Sequence, residues 1–157
     1  MKKYLPVMFL ISLTWLLVQC GATAPSGNPS LKVMDAWARQ SPVASGNGAV
    51  YMKLANQGGL DDVLIGAQSD VATAVELHET KMDGGLMKMS PVSNIKIPAG
   101  GSANLEPGGY HVMLINLKQP LEPGQKVKLT LMFEKSAPLT IEAEVREMGA
   151  EMKEMGQ

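Results

Sequence analysis

A chain of 157 residues, less an export leader, has the size of one ordinary domain around a single hydrophobic core. Its formal charge is -1, loss of Lys2 and Lys3 with the leader would make it two units more negative, and no run of like charges occurs, which argues against nucleic acid as a partner. Two Trp, three Tyr and two Phe supply neither a stacking platform for single strands nor an aromatic sugar groove, whereas twelve methionines are a surplus that only their positions can explain.

Met1-Lys2-Lys3 followed by the apolar run Tyr4 to Val18 has the layout and length of a secretory leader rather than a membrane span. Residues 1–19 are therefore expected to be a signal peptide of lipoprotein type, and the protein to act in the periplasm or on the outer face of the membrane. Leu17-Val18-Gln19-Cys20-Gly21 resembles a bacterial lipobox, with Gln19 where a small residue is usual. Cys20 would then carry the lipid, and this anchor is the only membrane contact expected. The competing cut, after Ala22-Thr23-Ala24, leaves Pro25 first, a residue that ordinary signal peptidase tolerates poorly. Cys20 is the sole cysteine, so no internal disulfide can form. Residues 20–30, rich in Gly, Pro, Ser and Ala, read as a flexible tether.

From Leu31 onward, short β-branched and apolar stretches alternate with Gly, Pro, Asn and Asp punctuation, and few segments have a helical pattern. Strands are predicted at Leu31 to Ala38, Ala49 to Ala55, Asp62 to Ser69, Ala74 to Thr80, Leu86 to Met89, Ser102 to Leu105, His111 to Leu117, Lys126 to Phe133 and Leu139 to Val145. The fold class is all-β, a two-sheet sandwich or barrel occupying residues 31–146. Asn56-Gln57-Gly58-Gly59, Asp83-Gly84-Gly85, Pro98-Ala99-Gly100-Gly101 and Pro107-Gly108-Gly109 carry residues that accept positive φ or preset a turn. Residues 147–157 form a polar tail with Met148, Met152 and Met155.

The chain has two histidines, His78 and His111, each in a predicted strand close to methionines. Side chains alternate along a strand, so Glu76, His78 and Thr80 share one face, and His111 shares a face with Met113. Residues two apart are separated by about 6.6 to 6.8 Å of rise, a gap that a flexible methionine closes onto a shared ion. Met87 and Met89 share a face, and the Gly84-Gly85 turn would fold their strand back beside His78 as a hairpin. Imidazole with thioether is a soft, uncharged donor set that selects Cu(I) over Zn, Ca or Mg. Thioethers also suit an oxidising compartment, because no disulfide can capture them. A blue-copper electron-transfer site requires a cysteine ligand, which the domain lacks.

The spacing His78, ten residues, Met89, twenty-one residues, His111-Val112-Met113 matches the H-x10-M-x21-H-x-M motif of the periplasmic CuA-site copper chaperones (PCuAC type), and the chain resembles that family from about Ala36 to Val145. Val75-Glu76-Leu77-His78-Glu79, Met87-Lys88-Met89 and Pro107-Gly108-Gly109-Tyr110-His111-Val112-Met113-Leu114 add to the likeness; Thr80 departs from it, standing where many relatives have methionine. The resemblance implies a cupredoxin-like Greek-key β-sandwich that holds one Cu(I) per domain through His78, Met89, His111 and Met113. It also implies delivery of copper to the CuA subunit of cytochrome c oxidase, or to another copper-relay protein.

Outside the motif, Met87 reads first as a packing residue and second as an alternate ligand. Glu76 and Glu79 flank His78 and could orient its ring through the second nitrogen. Met34, Met52 and Met132 read as core, while the tail methionines would either gather copper weakly or do nothing. No G-x-S-x-G, H-E-x-x-H, P-loop or dinucleotide fingerprint is present, so no enzymatic activity is expected. The alternatives to a carrier are an envelope lipoprotein for copper storage or tolerance, or a structural docking module that binds no metal.

Overall fold

The computed structural model describes residues 27–147; the leader, Cys20 and the tail methionines lie outside these residues. Ten strands follow one another: β1 (Leu31–Arg39), β2 (Gly48–Asn56), β3 (Asp62–Gln68), β4 (Ala72–Asp83), β5 (Leu86–Pro91), β6 (Ile95–Ile97), β7 (Ser102–Leu105), β8 (Tyr110–Leu117), β9 (Lys126–Phe133) and β10 (Leu139–Arg146). No helix occurs among the described residues. The hydrogen-bonded order is β5-β4-β8-β7-β2-β1-β10-β9-β3-β6, with β8 also pairing β2. This ladder closes over itself. Leu77, Val112 and Leu114 from one half join Leu64, Leu129 and Leu131 from the other in one buried cluster. Accordingly β3 packs on β4, and β6 on β7 and β2. Each such Leu or Val contributes about 1.5–3 kcal/mol by leaving water.

β1 is the strand that turns the corner. Leu31 to Met34 pair with β2, a bulge separates Met34 from Trp37, and Trp37 to Arg39 then pair with β10 in parallel while Trp37 and Ala38 keep their β2 partners. Asp35, at φ 51°, sits inside that bulge, where strands bend and twist more strongly. The alternation expected of β9 holds: Val127, Leu129, Leu131 and Phe133 are buried, with Lys126 and Lys128 exposed.

Nine strands were expected and ten are found. The additional one is β6, whose Ile95 and Ile97 are buried while Lys96 is exposed, and which pairs with Asp62 to Leu64 of β3. A three-residue apolar alternation before a proline is too short to stand out in sequence. The second difference concerns Asn28 to Ser30, which the composition places in the tether. The buried Asn56 side chain accepts hydrogen bonds from the Ser30 and Gly58 backbone N–H groups at 3.1 and 3.0 Å, and Gln57 N–H donates to Ser30 carbonyl at 2.8 Å. A Cβ on Gly58 would collide with the Asn28 carbonyl, so glycine is required at this close approach.

Candidate metal centre

The three strands at one end of the ladder, β5, β4 and β8, place the histidines. In the antiparallel β4–β8 pair His78 stands directly opposite His111, and Glu76 opposite Met113. In the β4–β5 hairpin Thr80 stands opposite Met89, and His78 opposite Pro91. Directly opposed residues share a face. One surface therefore carries Glu76, His78 and Thr80 from β4, His111 and Met113 from β8, and Met87 and Met89 from β5. Val112 and Leu114 take the opposite, core side, where both are fully buried. The hairpin is closed by Gly84 and Gly85 at φ 60° and 82°, the two positive values that a two-residue type I′ turn requires.

His111 is 2% exposed and His78 half-buried, and their ring centroids are 5.8 Å apart. His111 Nδ1 lies 3.2 Å from the Gly109 carbonyl, which can only accept, so Nδ1 carries the proton and Nε2 carries the lone pair. His78 Nε2 donates to the Glu76 carboxylate at 2.9 Å, an arrangement that in the neutral ring puts the lone pair on Nδ1. The two remaining ring nitrogens, His78 Nδ1 and His111 Nε2, are buried without any hydrogen-bond partner. A polar atom in that condition costs about 1–3 kcal/mol. Burial, with the neighbouring His78 adding to it and the Gly109 hydrogen bond opposing it, holds His111 below the ordinary imidazole value.

Met89 and Met113 line the same cleft of about 260 Å³, together with Tyr51, Ser41 and Pro42. The Tyr51 ring centroid is 6.1 Å from that of His111. Among the described residues no three His, Cys, Asp or Glu side chains are grouped so as to hold a metal. The two imidazoles and two thioethers on this face are soft, uncharged donor types, the chemistry that suits Cu(I).

The remaining sequence candidates separate. Glu76 reaches the histidine, whereas Glu79 takes the opposite face and lies 2.8 Å from Lys81 Nζ. Met87, read first as packing, is 66% exposed, on an edge strand with no buried side chain, so no described residue packs it into a core. Of the methionines read as core, Met52 is buried and Met34 and Met132 only half-buried. Two participants were not anticipated, the Gly109 carbonyl and Tyr51. Gly109 lies in the turn just before β8, two residues ahead of His111, and Tyr51 depends on a long-range contact; neither has a signal in strand alternation.

Fold and site together define a cupredoxin-like β-sandwich with an imidazole and thioether donor face at one end of the sheet. The chain belongs to the LpqE-like family, whose model, described as "Putative lipoprotein LpqE-like", matches residues 31–145. It is 37% identical over 128 residues to "Putative lipoprotein Lxx21020" of Leifsonia xyli subsp. xyli, covering 79% of this chain and 76% of that protein. Among solved structures, the copper-bound PCuAC domain from PmoF2 aligns with TM-score 0.64 at 25% identity, over 77% of this chain and 99% of that one. The solution structure of the Cu(I) form of DR1885 from Deinococcus radiodurans aligns with TM-score 0.53 at 34% identity, over 81% and 83%.

Proposed function

We propose that this protein is an exported carrier, and not an enzyme, that holds one Cu(I) per domain through His78, Met89, His111 and Met113. In this reading it delivers copper to the CuA site of cytochrome c oxidase or to another protein of a copper relay. The observation that carries the reading is the pair of buried, partnerless ring nitrogens on directly opposed residues, sharing a face with two thioethers. The copper-bound and Cu(I) structures of its relatives support it. So does the lipoprotein naming of the family, which accords with export and with attachment through Cys20.

The ligands are not held alike. His111 is buried on β8, a strand paired on both sides, but Met89 projects from β5, whose side chains are all exposed and whose one strand partner among the described residues is β4. A strand with no buried apolar side chain opens at little cost. Met89 is thus the ligand that can leave first and give an acceptor's donor room to enter, while the histidines keep hold until exchange is complete.

The test is an anaerobic Cu(I) titration of the exported chain, in competition with a chromogenic chelator, on wild type, His111→Ala and Met113→Ala. One equivalent should bind tightly, and each substitution should weaken it at least tenfold, about 1.4 kcal/mol. Absence of stoichiometric copper, or two variants that bind like wild type, would overturn the reading.

A further inference from the structure

Beyond the four motif residues, the hairpin carries two more methionines on the same face. Met82 and Met87 are direct partners across the β4–β5 ladder. Asp83 and Leu86 flank the two-residue turn as the hydrogen-bonded pair, so Met82 and Met87 form the next, non-hydrogen-bonded pair, the kind whose Cα atoms approach to about 4.5 Å. Two flexible thioethers at that separation can both reach one ion. Met89 is two residues from Met87 on the same side and belongs to the proposed copper site itself.

Core packing does not account for these side chains, because Met82, Met87 and Met89 are 72%, 66% and 53% exposed. Nor is the hairpin greasy throughout. Lys81 and Lys88 take the opposite face, paired with Glu79 and Asp83, and so does Leu86, the hairpin's exposed leucine. From Thr80 to Met89 the strand alternation presents on the copper side only thioether and Thr80, the charged Glu76 lying further along β4. Thioethers select Cu(I) even without imidazole.

We infer that Met82 and Met87 form a second, weaker Cu(I) station at the hairpin tip, joined to the two-histidine site by Met89, and that copper enters or leaves along this thioether track. The inference rests on the carrier reading for its purpose. Its chemistry is ligand exchange alone: the ion stays Cu(I), one sulfur binds as another lets go, and no proton or electron moves.

The experiment labels the methionine methyls of the exported chain with carbon-13 and follows them by NMR during an anaerobic Cu(I) titration to two equivalents. It uses wild type and the Met82→Leu/Met87→Leu variant, whose leucines keep the surface apolar. In wild type the first equivalent should move the Met89 and Met113 methyls, and the second should move those of Met82 and Met87, with an affinity at least a hundredfold weaker. In the variant the first phase should be unchanged and the second absent. Met82 and Met87 methyls that stay fixed in wild type while the first phase is normal would overturn the station and leave the carrier standing. A titration that moves no methionine methyl would overturn both.

Discussion

An imidazole can offer a metal only the nitrogen that it is not using as a donor, so the partner of the other nitrogen decides which way the ring presents itself. In His111 that partner is the Gly109 carbonyl, and in His78 it is the Glu76 carboxylate. Glu76 and Glu79 both neighbour His78 in the chain, but only the first shares its face. Glu76→Ala should therefore weaken Cu(I) binding by about 10–100-fold, the usual loss when the group that orients a metal-bound histidine is removed. Glu79→Ala, which breaks a pair with the exposed Lys81 on the other face of β4, should leave the affinity within about twofold. Chelator competition on both variants measures this, and equal losses would show that the carboxylates act through general charge rather than through the ring. The motif spacing marks all four candidate donors in the sequence, and the alternation within β4 also separates Glu76 from Glu79. The opposition of His78 to His111 is different: thirty-two intervening residues and the β4–β8 pairing create it, and no local pattern encodes that register.

At the level of elements, the site depends on a hairpin whose turn is more legible than its strands. Asp-Gly-Gly between apolar stretches announces a tight turn, and Gly84 and Gly85 adopt the positive φ it demands. The strands, however, run on to Asp83 and Pro91, past the expected ends at Thr80 and Met89, because β4 and β5 stay paired up to the turn although their side chains there are exposed. Replacing both glycines by alanine introduces no clash, since open space surrounds each, but the left-handed conformation costs about 1–2 kcal/mol per residue. The cost should remain local, because β5 buries nothing. Hydrogen exchange should quicken at β5 amides and at their β4 partners while β8, β2 and β9 keep their protection, and Cu(I) affinity should fall as Met89 loses its place. A uniform rise in exchange would mean that the hairpin is a structural member of the sandwich rather than an arm attached to it.

For the whole molecule, apolar alternation identifies β9 and β10 and hence the all-β sandwich, but the closure of the ladder depends on features with no periodicity, the β1 bulge and buried polar groups such as Asp62. Asp62 is 0% exposed, and its carboxylate accepts hydrogen bonds from the backbone N–H groups of Val63, Lys135 and Ser136 at 2.8, 3.0 and 3.0 Å, tying the start of β3 to the segment after β9. Burial alone would raise this carboxyl, but the Ser136 side chain and those three N–H groups outweigh it and hold it below the ordinary value of 3.8. The unfolded chain therefore takes up the proton first as the medium turns acid. The stabilisation is complete above that ordinary value and is lost as pH falls through the lower, folded one. In Asp62→Asn the amide accepts through one oxygen and presents N–H groups to backbone N–H donors, which should cost about 1–3 kcal/mol at neutral pH. The same variant should also lose the part of the acid-induced destabilisation that arises from this group. Urea unfolding from pH 7 to pH 2.5 checks both, and a variant whose stability parallels wild type across that range would show that other carboxylates govern acid unfolding. Because the donor face is built from β4, β5 and β8, and Asp62 belongs to none of them, the folded variant should bind Cu(I) as wild type does, which separates what holds the sandwich closed from what holds the metal.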